Sequence, residues 1–334
     1  MNSDSFSILT EAALDPTPVA GWTHNFYRYP ARFSPRFAAA AIECFSQPSD
    51  LVLDPYMGGG TVVVEGVAAG RKVIGNDLNS LASFIANVKV TPLSSIEASA
   101  ISQWTAEEVP HFSYAHAATE LGPFVDAGKT RNLSLVRARY IKKVVAAALA
   151  SIESLPTKHS RDFAKCIVLK VSQWALDGRR RHTPLDDFRA RLSLVAEEML
   201  NANRELGERL ESNGGQALVL NMDASLLDQS PIFAVEGQRA SLVVTSPPYP
   251  GVHVLYHRWQ VDGRRETPAP YWIAGCNDGE AASFYSFGDT RKSTDDRYFE
   301  KSLATLKAIR RVMHDGAHIV QLLAFNRPDD QLPR

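Results

Sequence analysis

Apolar positions along the chain fall into two regimes. Short apolar runs at 51–54, 73–76, 217–220, 242–245 and 318–323 each end in a turn or a ligand-type residue, which predicts five strands. Apolar residues at helical spacing over 36–45, 61–69, 81–88 and 299–314 predict helices between and around them. That alternation predicts an α/β fold on a parallel sheet, because parallel neighbours need a crossover connection. From about 91 to 213 the pattern changes. Helical periodicity holds over 133–154, 163–176 and 186–210 with no clear strand, so this block reads as an all-helical insertion between the second and third strands. The chain then divides into 1–90 (first part of the core), 91–213 (the insertion) and 214–334 (second part of the core).

Two strand ends carry candidate chemistry. The first strand runs through Asp54 and Pro55 into Tyr56-Met57-Gly58-Gly59-Gly60-Thr61 and then a helix, the opening of a nucleotide-binding doubly wound sheet. It lacks the G-x-G-x-x-G spacing, and no Gly-Lys-Ser/Thr follows, so neither a dinucleotide pyrophosphate nor a triphosphate is favoured. The second strand ends beside Asp77, placed where a carboxylate accepts ribose hydroxyls. The ligand therefore reads as a nucleoside without a phosphate chain. The fourth strand leads into Ser246-Pro247-Pro248-Tyr249. Two prolines surrender their amide donors, so the backbone offers carbonyl acceptors; Ser246 adds a hydroxyl and Tyr249 a stacking face. Such a site suits a flat ring bearing an amine, although a proline pair also closes ordinary strands.

Taken together, Asp54-Pro55-Tyr56-Met57-Gly58-Gly59-Gly60-Thr61, Thr245-Ser246-Pro247-Pro248-Tyr249 and the stretch from His24 to Pro35 resemble three motifs of the amino-group DNA methyltransferases. The resemblance implies a Rossmann-like S-adenosylmethionine-dependent methyltransferase fold, with S-adenosylmethionine as cofactor and double-stranded DNA as substrate. It also implies a cognate restriction endonuclease as companion. Asp54, Pro55, Gly58, Gly60 and Thr61 would hold the amino acid end of the cofactor, with Asp54 near its ammonium group. Asp77 would take the ribose hydroxyls, Leu78 would pack on the adenine, and Pro30 and Phe33 would close the methionine side. Asp223 matches a carboxylate that accepts from the adenine amine, and it equally reads as a helix N-cap. Ser246, Pro247, Pro248 and Tyr249 would hold a flipped base. Serine at the first of these positions goes with cytosine N4, leaving adenine N6 as the alternative. The chain departs from the family pattern at Arg32, where lysine is common, and at Gly59, where serine is common.

Composition changes little. Of 334 residues, 45% are hydrophobic and 22% charged, a soluble globular balance. No apolar run reaches membrane-spanning length and the N-terminus has no signal-peptide pattern, so a cytoplasmic location is expected. Cys44, Cys166 and Cys276 are scattered, form no metal-ligand pair and follow no proline, so covalent attack on a base finds no support. A net charge of -1 leaves nucleic-acid binding to local clusters. Of these, Arg179, Arg180 and Arg181 beside Gly178 are the leading candidates for DNA contact. A further candidate region is 250–298, where Tyr256, His257, Trp259, Tyr271, Trp272, Tyr285 and Phe287 alternate with Arg258, Arg264, Arg265 and Arg291. These aromatics read either as stacking groups or as core. Past the fifth predicted strand no segment supplies the two further strands of a full methyltransferase sheet. The C-terminal strands are therefore expected to be missing, which keeps a noncatalytic or partner-dependent remnant as a competing reading.

Overall fold

The computed structural model describes residues 3–29, 34–115, 122–179, 181–248, 258–263, 265–278 and 295–323. In chain order the elements begin with α1 (Ser3–Leu14), α2 (Pro35–Phe45), β1 (Leu51–Asp54), α3 (Thr61–Ala68), β2 (Lys72–Asn76) and α4 (Ser80–Val90). Helices α5 (Ser95–Glu107), α6 (Arg139–Ile152), α7 (Lys158–Leu176) and α8 (Leu185–Asn213) follow. After them come β3 (Gln216–Leu220), α9 (Pro231–Ala234), β4 (Ala240–Thr245), β5 (Trp259–Val261), β6 (Arg265–Thr267), α10 (Ala269–Ala274), α11 (Asp295–Arg311) and β7 (Met313–Gln321).

Five strands form one parallel sheet in the order β3-β2-β1-β4-β7, an arrangement compatible with a Rossmann-like fold. β1 is buried along its whole length because both faces are covered, which is why it reads as a continuous apolar run. Val52, Leu242 and Val244 face a core made with α2 and α3, while Leu53 and Val243 face one made with α9 and α11. Gly66 lets α3 lie against β2, since a Cβ there would stand 2.5 Å from a Val73 methyl. Strand order reverses between β1 and β4, and their carboxyl ends open the crevice in which such sheets bind ligands.

Between β2 and β3 the regular elements among the described residues are helical. Their core is continuous with Tyr27 and Tyr29, with α4 through Leu81 and Ile85, and with Trp259 and Tyr271. The helix expected at 133–154 starts only at Arg139, behind Asn132 in a left-handed conformation (φ +65°). α7 starts five residues before the expected 163, at a capping box in which Thr157 and Ser160 exchange side-chain and backbone hydrogen bonds. α11 stops at Arg311 rather than 314, and β7 begins at Met313, with a shift in its pairing to β4 and Gly316 at φ +81°. α1, α5, α10 and the β5–β6 hairpin answer to no element expected from the sequence.

Candidate active site

The two motif-bearing loops meet at the strand-order reversal. Thr245, at the end of β4, donates its hydroxyl to Asp54 Oδ1 at the end of β1, 2.8 Å away, and both residues are fully buried. The same Oδ1 accepts from the Tyr56 N–H at 3.1 Å. Asp54 Oδ2 is buried and has no hydrogen-bond partner among the described residues. Burial pushes the Asp54 carboxyl up to about 7; the Thr245 and Tyr56 hydrogen bonds pull it down, and the charge of Asp77 pushes it up.

The glycine turn is built around Asp77. Gly58, at φ +47°, donates its N–H to Asp77 Oδ2 at 2.9 Å, and the Asn79 N–H donates to Oδ1 at 2.9 Å. Burial raises the Asp77 carboxyl to about 6, against these two amides, with the charge of Asp278 adding to the rise. Asp77 thus clamps the loop with both oxygens, and each still has a second lone pair. Gly60, at φ +75°, is the N-cap of α3, and Thr61 is its first residue. The carbonyl of Pro55 accepts from Asn76 Nδ2 at 3.2 Å. Leu78 is half-buried; Asn221 Nδ2 donates to the carbonyls of Asp77 and Leu78 at 2.8 and 3.0 Å. Asp223 is exposed and caps the turn Ala224–Gln229 through the Ser225 N–H and hydroxyl, the capping role already open in the sequence.

Three residues that hold this site, Asn76, Asn79 and Lys89, escaped the sequence motifs. Asn79 donates through Nδ2 to the Tyr29 hydroxyl at 3.1 Å, and its Oδ1 accepts from the Tyr271 hydroxyl and the Leu81 N–H, both at 3.0 Å. Asn76 bridges the loops after β1 and β3 through Pro55 and Met222. Lys89, 1% exposed within apolar α4, donates to the Gly59 carbonyl at 2.6 Å. A lysine inside an apolar stripe was the available signal for it. Gly59 itself lies under Tyr29, whose Cβ would be 2.9 Å from an added Cβ, which explains glycine at a position where the resembling family carries serine.

Ser246, Pro247 and Pro248 continue from β4 partly exposed, and the Pro248 carbonyl accepts from the Tyr298 hydroxyl at 3.0 Å. Tyr249, Pro30, Phe33 and Arg180 lie outside the described residues. Of the arginines expected to meet DNA, Arg181 is exposed, whereas Arg179 lies 4.2 Å over the Trp174 ring. Arg258 is 10% exposed and pairs with Glu266 at 3.6 Å within the hairpin. Trp259, Tyr271 and Trp272 are core residues. Burial pushes the Cys166 and Cys276 thiols up to about 12 and about 11, so both stay protonated and are poor nucleophiles. Among the described residues, no group of three or more His, Cys, Asp or Glu could hold a metal, and no helix is long and apolar enough to cross a membrane.

Residues 14–87, which span the first motif, the cofactor loop and Asp77, match the N6/N4 DNA methylase family model. A 74-residue stretch is 39% identical to the Type II methyltransferase M.MvaI of Kocuria varians, covering 21% of this chain and 16% of that protein. Over this segment the chain is similar to the amino-group DNA methyltransferases, and it spans only a small part of that relative's length. No solved structure matches it. The methyltransferase match ends well before Ser246, so the link between the two motifs rests on the Asp54–Thr245 contact.

Proposed function

We propose that this chain transfers a methyl group from S-adenosylmethionine to an exocyclic amine of a base flipped out of double-stranded DNA, with cytosine N4 as the target. The observation that carries the proposal is the 2.8 Å hydrogen bond from Thr245 to Asp54, which joins the strand end leading to Ser246 with the one leading to the glycine loop. Two features of the loop suit the cofactor. Asp54 Oδ2 is a buried acceptor without a partner among the described residues, and positive φ at Gly58 and Gly60 leaves bare backbone where a ligand must approach closely. Asp54 would hold the ammonium group, and Asp77 the ribose hydroxyls.

When bound, S-adenosylmethionine supplies an electrophilic methyl group on a sulfonium centre. The chain's own residues must then make the base amine a nucleophile. Its lone pair is delocalised into the ring, and acceptors that hold both N–H groups favour a tetrahedral nitrogen with the pair released. The Ser246 hydroxyl and the Pro247 carbonyl are assigned that task, while Tyr298 holds the next carbonyl, that of Pro248. Tyr249 is assigned to stack on the extruded base, offsetting an unstacking cost on the order of a few kcal/mol. Serine rather than aspartate at 246 supports cytosine over adenine. The helices between β2 and β3 are assigned to DNA recognition, and a companion restriction endonuclease fits the Type II resemblance.

Ser246→Ala tests the assignment. Cofactor affinity should be unchanged while kcat for methyl transfer falls about 100-fold, within the range for lost transition-state hydrogen bonding. Transfer at the wild-type rate would remove Ser246 from the mechanism.

A further inference from the structure

A cavity of about 750 Å³ opens between residues 22–28 and helices α7 and α8, and the methyl-transfer reading leaves it without a role. Trp22 and Trp174 bring aromatic rings to it, and Arg28, Lys170 and Arg191 bring positive charge. Its walls are held in place from several sides. Gln173 grips the backbone of Arg28 twice, accepting from its N–H at 3.3 Å and donating to its carbonyl at 3.0 Å. Arg179 stacks on Trp174 at 4.2 Å and so fixes the plane of that ring. Trp22 adopts φ +39°, a left-handed backbone that a bulky residue takes only where its surroundings enforce it.

Charge in the cavity is positive on balance. Its two carboxylates are already engaged: Glu198 pairs with Lys170 at 3.6 Å, and Asp177 accepts from the Gln260 N–H at 2.9 Å. Arg191 makes no ion pair among the described residues, and Arg28 is exposed. The cavity also adjoins the catalytic machinery. Arg28 directly precedes Tyr29, whose side chain lies on Gly58 and Gly59 of the cofactor loop. Asp177 and Gly178 tie α7 to the hairpin that follows the Ser246 motif.

Flat rings and guanidinium groups around one open cavity match a nucleotide, which presents a π-face and a phosphate together. Resting on the methyltransferase reading, we infer that this cavity receives one unstacked nucleotide of the DNA strand other than the target base. Its base lies against Trp174 and Trp22, and its phosphate meets Arg28 and Arg191. It is a second DNA-anchoring point on the cofactor side of the molecule.

The test compares duplex binding by the full chain and by an Arg28→Gln/Arg191→Gln double variant across a salt series, with cofactor titration and thermal melting in parallel. Loss of one phosphate contact should lower the slope of log K against log salt by about one, with cofactor affinity and melting temperature unchanged. Trp174→Ala should weaken duplex binding about tenfold. Because Trp174 packs partly on the core, its result is read beside the arginine variant, which leaves the core intact. A wild-type chain that binds duplex and transfers methyl, with a double variant of identical salt slope and affinity, overturns the anchoring site alone. A wild-type chain that neither binds duplex nor transfers methyl overturns the anchoring site and the methyltransferase reading together.

Discussion

Replacing Asp54 by Asn separates two opposed effects of one carboxylate. In the free protein it is a burden: it is fully buried, Oδ2 has no partner among the described residues, and burial lifts its pKa from 3.8 to about 7. A folded-state pKa above the unfolded one means that the folded chain binds the proton more tightly. Stability is therefore greatest below about pH 4 on this account and declines as pH rises through the folded value near 7. A rise of about three pH units corresponds to roughly 4 kcal/mol between the two limits. Asparagine keeps an oxygen for Thr245 and Tyr56 and carries no charge to desolvate, but it places an unpaired amide donor where Oδ2 lay, at a cost of about 1–3 kcal/mol. The expected balance at about pH 8 is a gain of roughly 1–3 kcal/mol for the cofactor-free variant, or several degrees in Tm, shrinking to nothing or reversing near pH 5. Cofactor affinity should move the other way, falling about 10- to 100-fold with the loss of a charge-assisted contact to the ammonium group. Scanning calorimetry at the two pH values and calorimetric titration with S-adenosylmethionine measure both. A variant less stable than wild type at pH 8, with unchanged cofactor affinity, would refute the reasoning and make Asp54 a structural residue.

Gly59→Ser should destabilise the protein by about 1–3 kcal/mol in urea unfolding, because its Cβ would press on Tyr29 at 2.9 Å; the resembling family's serine is not interchangeable here. Asn79→Ala removes a helix cap and two buried hydroxyl partners, so a loss of about 2–4 kcal/mol is expected in the same assay, while the backbone N–H of residue 79 still donates to Asp77. Thr245→Val should push the Asp54 carboxyl further up by deleting its side-chain donor, shifting the pH dependence of cofactor binding to higher pH, as titrations between about pH 6 and 9 would show.

What was legible in the sequence follows from what is local. β1 and β4 read as strands because both faces are buried, and a fully buried strand leaves an unbroken apolar run. Asp54, Gly58 and Asp77 could be singled out because their spacing is fixed by a strand, a turn and the next strand. β5 and β6, three residues each, are too short for a period-two signal. α5 escaped because only Glu97, Ile101 and Trp104 along it are buried, too few to draw an apolar stripe. Asn76, Asn79 and Lys89 were missed for a different reason. Their work is done through partners far away in sequence, as in the 192-residue separation between Asn79 and Tyr271. The aromatics of 250–298 were open to two readings, and packing decided for core at Trp259, Tyr271 and Trp272.

The most direct measurement of the central claim is incubation of the purified chain with tritiated S-adenosylmethionine and unmethylated duplex DNA of mixed sequence, followed by nucleoside analysis. The account expects label in N4-methylcytosine. Label in N6-methyladenine would retain the amine chemistry and contradict the base assignment. No label in any nucleoside, with cofactor binding intact, would contradict the claim that the Ser246 motif and the glycine loop form one working site.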